Sequence, residues 1–107
     1  MHLKHREGDM ENIIIAAIKE KKVLSFAYSG HPRIVEPHIY GIHEGARQLL
    51  GYQIRGSSSS GSALPEWRRF KISAMKNLQI LEESFLGRRS YTLGKHSHWD
   101  NQILIVE

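Results

Sequence analysis

The chain has 107 residues, of which 40% are hydrophobic and 24% charged, with a formal charge of +4 and a pI near 9.6. That length supports one compact domain without a second core, and the lack of cysteine excludes disulfides, thiolate zinc sites and cysteine nucleophiles. No apolar run approaches the roughly 20 residues a bilayer demands, and a start charged at Lys4, His5, Arg6, Glu7 and Asp9 lacks the apolar centre of a secretory leader, so a soluble, cytoplasmic protein is expected.

In chain order, residues 1–9 are expected to form a flexible N-terminus. Met10, Ile13, Ile14, Ala17 and Ile18 recur at helical spacing with Asp9 placed as N-cap, which predicts a helix from Met10 to Lys21. Cations at Lys19, Lys21 and Lys22 suit its C-terminal end. Leu24, Phe26 and Tyr28 then alternate with their neighbours, and Ser29-Gly30 signals a tight turn, so a β-hairpin follows. Pro37 has no N–H to give to a ladder, so the segment 34–42 is expected to be an edge strand or to bend at Glu36-Pro37, before a second turn at His43-Glu44-Gly45. A strand over 48–55 leads into Ser57, Ser58, Ser59, Ser60 and Ser62 with two glycines, the composition of a mobile loop. Further strands are predicted over 67–72 and around 78–81. Residues 87–107 read as a C-terminal extension with a last strand near 103–106. One helix followed by five or six short strands predicts a mainly β domain over residues 10–86, a small, strongly bent sheet or partly open barrel.

The stretch 47–72 carries four arginines and a lysine around the serine loop. Strand alternation predicts Leu50, Tyr52 and Ile54 inward with Gln53 and Arg55 outward, and Phe70 and Ile72 opposed to Trp67, Arg69 and Lys71. Such a polar, basic and aromatic face suits an anion with a planar part, because arginine binds phosphate through paired hydrogen bonds and rings stack on bases.

The ordered segments A-I-K-E-K-K-V-L-S-F-A-Y-S-G, R-I-V-E-P-H, L-L-G-Y-Q, W-R-R-F-K-I and L-Q-I-L-E-E-S-F resemble the WYL domain of bacterial regulators over most of residues 13–85, most closely its compact free-standing members. The tail resembles theirs near Tyr91, Gly94 and Lys95. The resemblance implies an Sm-like small β-barrel that senses nucleotides or single-stranded nucleic acid and acts in transcription or defence, without enzymatic activity. It places Arg33, Arg68 and Lys71 at positions that tend to be basic. The namesake Trp-Tyr-Leu triplet is replaced by Gln48, Leu49 and Leu50, and an Asp-Arg-Ile element by Ser73, Ala74 and Met75. About a dozen residues precede the stretch that carries the resemblance, so the winged-helix DNA reader of larger members is not expected in this chain.

The candidate ligand-binding set is therefore Arg33, Gln53, Arg55, Ser57, Ser59, Trp67, Arg68, Arg69 and Lys71, with a nucleotide or short single strand as partner and no cofactor. A solvated basic face explains the same residues. Glu36 is a candidate to orient Arg33 or a surface carboxylate. Tyr52 reads as core, and Trp67 as either core or a stacking platform. The alternation His96-x-His98-x-Asp100 offers metal ligands to a hydrolase, but nothing in the pattern places a base beside a nucleophile, and no enzyme is expected. A rival reading is an interaction or dimerisation module, accessory to a transcription or defence regulator.

Overall fold

A computed structural model describes residues 7–90 and 98–107. Helix α1 spans Glu7–Glu20 and is followed by β1 (Lys22–Tyr28), β2 (His31–His43), β3 (Ala46–Gly56), β4 (Glu66–Lys71), a 3-10 turn (Ile72–Ala74), β5 (Lys76–Ser84) and β6 (Asn101–Ile105). The helix begins three residues before the expected start. Asp9 therefore lies inside the first turn, where its charge meets the positive end of the helix dipole, and is not the cap. Met10, Ile14, Ala17 and Ile18 turn one stripe of α1 into the core. Lys21, in the left-handed region at φ 55°, ends the helix and turns the chain into β1.

The six strands form one antiparallel sheet in the order β4-β3-β2-β1-β5, with β6 added to β2. Two hairpins set its register. Ser29-Gly30 (φ 53° and 77°) and Glu44-Gly45 (φ 51° and 76°) hold both central residues at positive φ, the geometry of the two-residue turn whose twist matches paired strands. Among the described residues no pairing joins β4 to β5, so the sheet is not closed into the barrel that the resemblance implied.

Strand β2 is central, which corrects the edge-strand alternative expected from Pro37; the other alternative was a bend at Glu36-Pro37, and an irregularity does fall there. The strand pairs β3 along its length, β1 over 31–35 and β6 over 39–42. Pro37 is tolerated because it falls where β2 changes partner from β1 to β6, beside a register shift between Pro37 and Ile39. Residues 35–41 are all buried, the mark of a strand covered on both faces. On the helix side Leu24, Phe26, Val35, Leu49, Phe70, Ile72 and Leu78 pack with α1. The opposite face carries Glu36, Leu50, Tyr52 and Trp67, which the register places together.

Gly51 pairs with Pro37 and Arg68, and a Cβ there would collide with Val35 Cγ1 and come within 3.3 Å of the Glu36 carbonyl oxygen. A Gly51→Ala substitution is expected to destabilise the protein by about 1–3 kcal/mol through overpacking, read as a lowered midpoint in urea unfolding.

Candidate functional site

The site grows from Arg33, which β2 carries into the interior and leaves 4% exposed. Its Nη1 donates to Gln53 Oε1 at 3.1 Å and its Nη2 to the Tyr28 carbonyl at 3.1 Å. The guanidinium also lies 5.6 Å from the Tyr28 ring centroid and 5.7 Å from that of Phe70. Gln53 is fully buried, so the expectation that it points outward is corrected. It shares a face with Leu49 and Gly51, and pairing with Arg33 satisfies an amide that sequence alternation assigned to solvent. Gln53 Nε2 donates in turn to the carbonyls of Arg55 and Ser57, both at 3.2 Å, which fixes the base of the serine loop.

Among the described residues no carboxylate lies within ion-pair distance of Arg33, and its Nε has no partner. Burial lowers the basicity of its guanidinium, and the charge of Arg68 lowers it further. Arg68 reaches the loop: its Nη2 donates to Ser58 Oγ at 3.1 Å and to Ser60 Oγ at 3.5 Å, and it forms an ion pair with Glu66. Its Nε is shielded and unpartnered. The Ser58–Ser60 and Ser60–Ser62 hydroxyl contacts, each 2.9 Å, and a bond of 3.0 Å from the Ser57 amide to the Pro32 carbonyl tie the loop down. The loop is thus organised around Arg68. Arg33, Gln53, Ser57 and Arg68 meet, and of the two guanidiniums only that of Arg68 has a carboxylate partner among the described residues.

The remaining candidates lie elsewhere. Arg55 pairs with Glu83 on β5, with Nη1 3.2 Å from Oε2. Trp67 packs edge-on to His38 at 4.7 Å between ring centroids and against Tyr52 at 4.9 Å, on the opposite face of the sheet. Arg69 lies over Trp99 at 4.4 Å. Lys71 and Ser59 are exposed. The single basic face read from the sequence is divided, because neighbours in β4 point to opposite sides.

A second polar centre was missed. Glu36 is 4% exposed and receives Arg89 Nε at 2.7 Å and Nη2 at 3.0 Å, so it orients Arg89, not Arg33, from which the sheet separates it. Arg89 also covers the Tyr52 ring at 4.7 Å. His38, 1% exposed, sits between Trp67 and Phe85 with Nε2 3.4 Å from Glu36 Oε1. Its Nδ1 has no partner. Desolvation pushes its pKa below the ordinary 6.5 despite Glu36. The only sequence signal was a carboxylate inside an apolar strand, with two arginines far downstream. Of the His96-x-His98-x-Asp100 spacing, His96 lies outside the described residues. Among the described residues no three metal-ligating side chains gather.

A buried arginine and a half-buried one joined to a loop on an open, helix-backed antiparallel sheet define a small β module with polar groups set into an apolar core. No protein-family model and no curated protein matches this chain. Among solved structures, the proteasome accessory factor B/C (PafBC) of Arthrobacter aurescens is similar, with a TM-score of 0.62 and 23% identity over 86% of this chain. The chain spans 15% of the length of that structure, and the likeness shows a shared fold. No helix among the described residues is long and apolar enough to cross a membrane.

A histidine held neutral in the fold binds its proton more readily when unfolded, so stability falls as pH drops through 6.5. The dependence is at most about 1.4 kcal/mol per pH unit for one proton. Urea unfolding between pH 5 and 8 should show this slope, and His38→Gln should reduce it by up to one proton's worth.

Proposed function

We propose that this protein is a non-enzymatic, ligand-sensing regulatory module of the WYL type, binding a nucleotide or a short single strand of nucleic acid. The observation that carries this reading is the buried Arg33, without a carboxylate among the described residues, beside Arg68 under a loop of serine hydroxyls. In this reading Arg68, Ser58 and Ser60 contact a phosphate directly, whereas Lys71, two residues from Arg69 on β4, lies on the other face. Arg33 acts from behind, since its bond to Gln53 and the Gln53 bond to the Ser57 carbonyl connect the loop to the core. A phosphate arriving at Arg68 replaces Glu66. That exchange moves the loop and gives a partner protein a changed surface to read.

The fold shared with a protein named as a proteasome accessory factor supports a regulatory role, either within a larger regulator or alongside one. A second reading, an interaction or dimerisation module, draws on the exposure of Ile80 on β5 and of Ile103 and Ile105 on β6, at 41%, 39% and 37%.

Fluorescence anisotropy with labelled single-stranded DNA and RNA, at two salt concentrations and with nucleotides as competitors, tests the proposal. Binding should weaken with salt, fall at least about tenfold in Arg68→Ala, and tighten in Glu66→Gln, which removes the competing carboxylate. Absence of binding in every condition would overturn it and favour the interaction module.

A further inference from the structure

On the face of the sheet away from α1, Trp99 lies across Gly41 of β2. A Cβ on Gly41 would sit 2.9 Å from Trp99 Cε3, so only glycine leaves room for the ring. Register places Arg69 of β4 on this same face, opposite Leu50. Its guanidinium stacks 4.4 Å from the indole centroid, and its Nη2 donates to the His98 carbonyl at 2.7 Å. His43, at the end of β2, presents its ring edge 6.2 Å from the indole centroid. Asp100 is occupied elsewhere, accepting from the Gly45 amide at 3.0 Å.

The nitrogens at this point are unmatched. Arg69 Nε and Nη1, Trp99 Nε1 and His43 Nδ1 are all shielded from water and have no hydrogen-bond partner. They make up four of the seven such side-chain atoms among the described residues. Arg69 and Trp99 can only donate, and His43 Nδ1 donates in one tautomer. Each such group calls for a partner, and an ordered water, an ion or a bound acceptor can supply it. We propose that this cluster is a carboxylate-binding site, separate from the Arg68 site.

The charge balance selects the ligand class. Arg69 is the one permanent cation of the cluster, and Glu44, whose Oε1 lies 3.5 Å from His43 Nε2, partly offsets it. A monoanion with two acceptor oxygens fits this balance, whereas a doubly charged phosphate does not. With the indole beside the guanidinium and Nη2 held by the His98 carbonyl, Nε and Nη1 of Arg69 and Nε1 of Trp99 are the donors left for the oxygens of a carboxylate. The side chains themselves are half-buried, at the surface of the sheet and not in its core.

The test is an acetate titration of the full chain at constant ionic strength and pH 7. The readouts are the indole N–H resonance of Trp99 by NMR and, in a Trp67→Phe background where Trp99 is the sole indole, its fluorescence. A saturable shift of both is expected, weakened about tenfold or more in Arg69→Gln and unchanged in Arg68→Ala. Phosphate should compete poorly. An unmoved Trp99 resonance in the natural protein would overturn the site even if Arg69→Gln failed to fold. Tighter binding of phosphate than acetate, or a response preserved in folded Arg69→Gln, would overturn it equally.

Discussion

Strand β2 carries Arg33, Glu36 and His38 into the interior within six residues, and each buried polar group needs a partner that water cannot supply. Those partners come from distant parts of the chain: Gln53 of β3 and the Tyr28 carbonyl for Arg33, Arg89 of the tail for Glu36, and Glu36 for His38. The requirement organises the molecule. It fixes Gln53 inward, and through Gln53 it anchors the serine loop. On the other face it draws residues 85–90 across the sheet, where Phe85 and Arg89 cover His38 and Tyr52.

The two polar centres differ in balance. Around Glu36 the charges are matched, with a paired guanidinium and a neutral imidazole, so this centre secures the tail. Around Arg33 they are not: the cation rests on neutral acceptors and ring faces while a second cation stands beside it. A buried charge without its counterpart costs stability unless something else repays it. This imbalance, more than the number of basic residues, is the ground for proposing an anion at the Arg68 face.

Most elements were legible in the sequence because they follow local rules. Met10, Ile14, Ala17 and Ile18 give the helical stripe, and Ser29-Gly30 and Glu44-Gly45 give the hairpins. What was not legible depended on long-range pairing. Gln53 looked solvent-facing because an amide on a strand is placed outside until its partner is known, and Arg33 lies 20 residues away. Pro37 read as an edge marker, since sequence cannot show one strand changing neighbours midway along one side. The candidate site was half legible. Arg33, Arg68 and the serine loop do meet, but Arg55, Trp67 and Arg69 were grouped with them because their neighbourhood in sequence concealed the opposite directions of adjacent strand residues. The contact between Arg89 and Glu36, 53 residues apart, left no local trace.

The attachment of β6 to β2 bears on how the chain is made. Residues 101–105 close the side of β2 over 39–42, although roughly 60 residues separate the two strands. At about 5–20 residues per second on a ribosome, that stretch of β2 waits several seconds with its hydrogen-bonding edge uncovered. Over this interval the nascent protein carries an open strand edge flanked by Ile39 and Tyr40, the kind of surface that pairs with other chains. Arrival of the last strand thus protects the chain against aggregation as well as completing the sheet.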